Sequence, residues 1–125
     1  MNGFRIAVIG AGETGTPLLK QLLTSTFVQV LGVADLDLSM PGIALAKEHG
    51  VKVTNDFMEL AGLGQEVDVI IDVTGAPKVR EALRQHMVAT GNDHTLIMHE
   101  RIALLMMSLS AGKLVTGKHG DQEYI

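Results

Sequence analysis

The sequence has no cysteine, which excludes disulfides, thiolate metal sites and cysteine nucleophiles and suits a reducing cytoplasm. It has no tryptophan, and aromatic residues fill only 3% of 125 positions, which argues against a base-stacking surface for single-stranded nucleic acid. Positive charge is scarce too. Ten Lys and Arg against fourteen Asp and Glu leave a net charge of −4, without the electrostatic footprint of a nucleic-acid binder. No apolar run reaches the roughly 18 residues of a membrane helix. The apolar start at residues 4–9 is too short for a signal-peptide core and lacks a basic flank. The expectation is a cytoplasmic chain with neither a nucleic acid nor a membrane as partner.

What is present is enough for a core. Apolar residues make up 46% and charged residues 19%, a balance that excludes a disordered tail. The length fits one domain. Fourteen glycines against three prolines suit many short turns between regular elements.

Apolar runs alternate with helical spacing along the chain. Strands are expected at residues 4–9, 28–34, 51–54, 67–73 and 95–98. The continuous run Val67-Asp68-Val69-Ile70-Ile71-Asp72-Val73 suits a strand buried on both faces. Helices are expected from about Thr14 to Thr24, with Leu18, Leu19, Leu22 and Leu23 on one side. Others follow from Pro41 to Gly50, over 56–61, from Pro77 to about Thr90, and from Arg101 to Ser110. Parallel strands need crossovers, so this order predicts an α/β fold: a doubly wound, mainly parallel sheet of about five strands in a single domain. Residues 1–112 form that domain. Residues 113–125 are a polar tail expected to fray, apart from a possible short strand at Leu114-Val115.

Between the first strand and first helix lies Gly10-Ala11-Gly12-Glu13-Thr14-Gly15, a complete G-x-G-x-x-G in the context that gives it meaning. Gly10 permits a tight turn, Gly12 lets the backbone approach a pyrophosphate, and Gly15 allows close helix–strand packing. The N–H groups at the helix start then face the phosphates. Asp35 follows about 20 residues later, at the end of the second strand, where a carboxylate accepts hydrogen bonds from adenosine ribose hydroxyls. Leu36-Asp37-Leu38-Ser39 offers no cation for a 2′-phosphate, and Asp37 would repel one, so NAD is favoured over NADP. The alternative is that the glycines serve packing alone and Asp35 caps the next segment. Glu13 suits the helix dipole but competes with a phosphate unless it points outward. Thr14 either gives its hydroxyl to the phosphate or caps the helix. Thr74 and Gly75, after the fourth strand, are candidate ribose or nicotinamide contacts; alternatively Thr74 is an N-cap. The cofactor-binding candidates are thus Gly10, Ala11, Gly12, Glu13, Thr14, Gly15, Asp35, Leu36, Thr74 and Gly75.

These motifs, with Ile6-Ala7-Val8-Ile9, Val33-Ala34-Asp35-Leu36-Asp37, Ala44-Leu45-Ala46-Lys47-Glu48-His49-Gly50-Val51 and Thr54-Asn55-Asp56-Phe57, resemble the Rossmann-like cofactor domain of the glucose–fructose oxidoreductase and inositol dehydrogenase family over residues 4–100. The resemblance implies an NAD(P)-binding domain. It also implies a second domain holding substrate and a catalytic histidine, which nothing in this sequence could build. The family's fifth strand ends in Glu-Lys-Pro, whose lysine transfers a proton. The counterpart here is Glu100-Arg101-Ile102, and an arginine stays protonated and cannot relay that proton. The family's dehydrogenase activity is therefore not carried over, and no catalytic residue is assigned. Stand-alone modules of this kind resemble domains ahead of bacterial sensor and kinase modules, which implies nucleotide sensing without turnover.

His94 and His99 lie five apart across a strand with no carboxylate pair to complete a metal site, so surface or loop histidines are expected and no metal. His99 and Glu100 do stand at the C-terminal rim where ligands bind in such sheets. Ile102-Ala103-Leu104-Leu105-Met106-Met107 is apolar almost all round. It offers a surface for a partner, most simply a homodimer, unless the tail and a neighbouring helix cover it. The function expected is binding of NAD(H) by a regulatory or sensor-like module. The alternatives are an oxidoreductase component whose substrate residues come from elsewhere, and an interaction domain that binds no nucleotide.

Overall fold

The computed structural model describes residues 3–117. Strand β1 (Phe4–Ile9) leads through a glycine loop into helix α1 (Gly15–Thr24). Then come β2 (Val28–Ala34), α2 (Pro41–Glu48), β3 (Val53–Thr54), α3 (Met58–Ala61), a 3₁₀ turn at Gly64–Glu66 and β4 (Val69–Asp72). Helix α4 (Pro77–Thr90), β5 (Leu96–Met98) and α5 (Glu100–Ala111) complete the described chain. The strands form one sheet in the order β3-β2-β1-β4-β5, with every pairing parallel. The order reverses between β1 and β4, and ligands bind at such a switch point in open α/β sheets.

Strand β1 explains the two layers. Successive side chains of a strand point to opposite faces. Ile6 and Val8 join Leu18, Leu19, Ile43, Ala46, Ile71, Ala103 and Met107 in one core. Ala7 and Ile9 join Leu60, Val67, Ile70, Val79 and Leu83 in the other. Helices α1, α2 and α5 therefore cover one face, and α3 and α4 the other. Burying a Leu or Ile side chain as completely as Leu19 or Ile9 contributes about 2 kcal/mol.

The proline-led helices begin as expected. Pro41 and Pro77 occupy first-turn positions where a missing N–H costs nothing, and α4 ends at Gly91 in the left-handed conformation. The differences lie at strand ends. Strand β3 has two residues rather than four, and β4 starts at Val69: Asp68 keeps its backbone bonds to Arg5 O and Leu96 N–H, but its side chain takes the Arg5 N–H. No strand forms at 114–115. Val115 instead donates its N–H to Ser108 Oγ and packs against the core beside α5. Residues 118–125, where the tail was expected to fray, lie outside the described residues. Helix α5 buries Ala103 and Met107 and leaves Ile102, Leu105, Met106 and Leu109 exposed.

Candidate functional site

Register gathers the candidate residues at one edge. Ile9 lies opposite Ala34 on one side and Asp72 on the other, and Ile71 lies opposite Met98. The residues at or just past the strand ends therefore form a row: Asp35, Gly10, Asp72, His99. From β2 to β5 the row crosses three strand spacings, roughly 14 Å.

The glycine loop is built by three contacts of its own chain. Gly10 has φ +109° and donates its N–H to Ala34 O. A Cβ on Gly15 would stand 2.1 Å from Gly10 O, so Gly15 is required by packing. Gly42, in the first turn of α2, donates its N–H to Ala11 O, and a Cβ there would meet that oxygen at 2.8 Å. Gly12 differs. Its φ is not positive, and the nearest atom to an added Cβ is Met40 Sδ at 3.9 Å. Nothing in the described chain requires a glycine at position 12.

Glu13 is exposed. Thr14 occupies the N-cap position of α1 but makes no side-chain cap bond. Thr16 ties the helix to the loop instead, its hydroxyl donating to Ala11 O and Gly12 O. Of the first N–H groups of α1, that of Thr16 donates to Gly12 O at 2.9 Å, and Pro17 has none to offer.

Asp35 is 3% exposed and shapes the loop from below. Its Oδ2 accepts the Ala11 N–H at 2.8 Å and its Oδ1 accepts the Asp37 N–H at 2.9 Å. Leu36 is exposed beside it. The hydroxyl and N–H of Ser39 both donate to Asp37, holding its carboxyl below the usual carboxylate range, so residue 37 presents a negative charge.

On the other half of the edge, the Thr74 hydroxyl donates to Asp72 Oδ1 at 2.6 Å and accepts the Ala76 N–H. Thr74 is therefore not the N-cap of α4. That position belongs to Ala76, because the chain makes one further turn before Pro77. Gly75 is exposed with φ +65°.

His94 and His99 lie in loops, as expected, and each is in addition held by a buried aspartate. His94 Nε2 lies 2.8 Å from Asp68 Oδ1, and His99 Nδ1 lies 2.9 Å from Asp72 Oδ2. Residues 67–73 read as one apolar run, which hid the fact that its two carboxylates sit at opposite ends of a short strand and pair with side chains of the next segment. Asp68 belongs to the far edge of the sheet. There the Arg5 guanidinium, the Arg5 N–H and His94 hold its carboxyl well below the usual range. Among the described residues no group of three or more His, Cys, Asp or Glu is placed to hold a metal ion, and no helix is long and apolar enough to cross a membrane.

No protein-family profile matches the chain. The acetaldehyde dehydrogenase of Sphingobium yanoikuyae is 31% identical over 104 residues, which are 78% of this chain and 31% of that protein. That of Shewanella pealeana is 35% identical over 77 residues, 58% of this chain and 24% of that protein. Among solved structures, GenD2 from gentamicin A biosynthesis, in complex with NAD, superposes with a TM-score of 0.59 at 22% identity, covering 90% of this chain and 32% of that one. A myo-inositol dehydrogenase from Corynebacterium glutamicum gives 0.57 at 19% identity, covering 88% and 33%. The chain spans about a quarter to a third of the length of the curated relatives it matches. In fold the chain is a Rossmann-type α/β domain resembling the one carried by these dehydrogenases, the inositol dehydrogenases among them.

Proposed function

We propose that the chain binds NAD(H) along the C-terminal edge of its sheet, as the cofactor-holding part of an oxidoreductase. The observation that carries this reading is Gly12. Its neighbours Gly10, Gly15 and Gly42 are explained by φ or by contacts within the chain, whereas the space beside Gly12 is open to a ligand. A loop that bares its backbone there, ahead of the N-terminus of α1, fits a pyrophosphate.

In this reading Gly10, Ala11, Gly12, Glu13, Thr14 and Gly15 line the pyrophosphate. Asp35 and Leu36 face the adenosine half. The Asp35 carboxylate is the acceptor this reading assigns to a ribose hydroxyl. The charge on Asp37 supports NAD over NADP, because a 2′-phosphate beside it would meet a like charge. Thr74 and Gly75 border the second half. When bound, the dinucleotide supplies a hydride acceptor or donor.

The relatives are dehydrogenases by name, which favours an oxidoreductase component over a stand-alone regulatory module. Further substrate-binding residues then lie outside these 125 residues. The test is thermal unfolding with NAD, NADH, NADP and ADP-ribose. A ligand at a hundred times its Kd stabilises by about 2.7 kcal/mol. For a chain of 125 residues that raises Tm by about 10 °C. NAD, NADH and ADP-ribose are expected to do so and NADP to do so less. A Tm that no dinucleotide moves contradicts the reading.

A further inference from the structure

The cofactor reading leaves the Asp72–His99 pair without a task. Asp72 is 2% exposed and fully engaged: Oδ1 accepts both the N–H and the hydroxyl of Thr74, and Oδ2 faces His99 Nδ1 at 2.9 Å. A carboxylate only accepts, so the imidazole hydrogen of the neutral ring sits on Nδ1 and the lone pair on Nε2. His99 occupies the N-cap position of α5, yet its side chain makes no cap bond. The ring is turned back to Asp72 instead. It is 27% exposed, and among the described residues Nε2 makes no hydrogen bond. In the neutral ring an acceptor aimed by a buried carboxylate is thus left at the rim, two strand spacings, roughly 10 Å, from the glycine loop on the side away from Asp35.

We infer that His99 is a ligand-binding residue whose Nε2 accepts a hydrogen bond from a hydroxyl group in the second half of the cleft. The inference rests on the dinucleotide reading and extends it. The chemistry required is a hydrogen-bond donor, and the inference commits to a hydroxyl. Two sources supply one: the second ribose of the dinucleotide, or a separate small alcohol lying next to it. Asp72 acts through His99 and is a positioning residue.

The experiment records the imidazole nitrogens of the ¹⁵N-labelled chain with ADP, with ADP-ribose, with NAD, and with NAD plus myo-inositol. His99→Phe identifies the resonance, and calorimetry on the same samples reports binding. A shift of the His99 Nε2 resonance with ADP-ribose and NAD but not ADP supports the inference and assigns the hydroxyl to the second ribose. A shift only after myo-inositol is added supports it with a separate alcohol as donor. In the first case His99→Phe weakens ADP-ribose about fivefold and leaves ADP unchanged, the loss of one hydrogen bond. If NAD binds by calorimetry while Nε2 stays unmoved in all four samples, the inference is overturned and the pair is a clamp between β4 and α5. If calorimetry shows no binding of ADP, ADP-ribose or NAD, the dinucleotide reading itself has failed, and this inference with it. Asp72→Asn gives a second check that does not remove the ring. An amide N–H donated to Nδ1 moves the ring hydrogen to Nε2, so the unliganded Nε2 resonance becomes that of a protonated nitrogen, and the ligand no longer perturbs a lone pair there although His99 remains.

Discussion

Replacing Gly15 by Ala isolates what the glycine loop does for the fold alone. The new Cβ would lie 2.1 Å from Gly10 O, 2.9 Å from Gly10 C and 3.2 Å from Val73 Cγ2. Carbon and oxygen approach to about 3.3 Å at closest without strain, so the first contact is short by about 1.2 Å. Neither backbone atom yields easily, because Gly10 is fixed by its φ of +109° and by its bond to Ala34 O. Overpacking of this kind costs about 3 kcal/mol, against which alanine gains at most about 1 kcal/mol in helix propensity. The net loss is about 2 kcal/mol. Unfolding entropy for 125 residues makes this a fall of about 8 °C in Tm. Scanning calorimetry without ligand reads it directly. A Tm equal to or above that of the wild type would refute the packing account of Gly15 and with it the placement of α1 against the loop.

Asp35→Ala should lower both stability and affinity. It strands the buried Ala11 N–H, at a cost of about 2 kcal/mol, and removes the ribose acceptor, so a thermal melt and an NAD titration change together. An unchanged melt would mean that Asp35 does not hold the loop. Asp37→Arg reverses the charge beside Asp35, and the ratio of NADP to NAD affinity should rise about tenfold in competition titrations; a constant ratio counts against the 2′-phosphate argument. The Asp68 carboxyl is held low by Arg5 and His94, so its contribution is fully present above the ordinary carboxylate pKa of about 3.9 and is lost as pH falls below it. The gap in urea midpoint between wild type and Asp68→Asn should therefore narrow between pH 7 and pH 3. A gap independent of pH would show that the carboxylate charge plays no part.

The sequence announced what depends on local chemistry. Pro41, Pro77 and Gly91 mark helix ends because φ is fixed in one case and free in the other, and the structure starts and stops its helices there. The continuous apolar run at 67–73 foretold a strand covered on both faces, and Ile71 and Val73 join one core while Val67 and Ile70 join the other. What depends on tertiary register was not legible. The pairings of Asp68 with Arg5 and of Asp72 with His99 span 63 and 27 residues, and no spacing rule brings them together. Gly42 was missed for the same reason: it matters only because α2 lies against Ala11. The four glycines at positions 10, 12, 15 and 42 look alike in sequence, and the structure separates them. Three answer to φ or to neighbouring atoms; Gly12 answers to neither. Thr74 shows the limit of local reading in the other direction, since a hydroxyl two residues before the helix cap serves the turn and not the helix.

The open space at Gly12 makes Gly12→Ala the substitution that bears most directly on function. A methyl group there meets nothing nearer than Met40 Sδ at 3.9 Å, so the unliganded melt should stay within about 2 °C of the wild type. The decisive measurement is a calorimetric titration of NAD into the wild type and into Gly12→Ala. The account predicts saturable binding to the wild type and at least a tenfold weaker titration in the variant, because the methyl group takes the place of the pyrophosphate's closest approach. Equal affinities in the two, or a folded wild type that takes up no NAD, would contradict it.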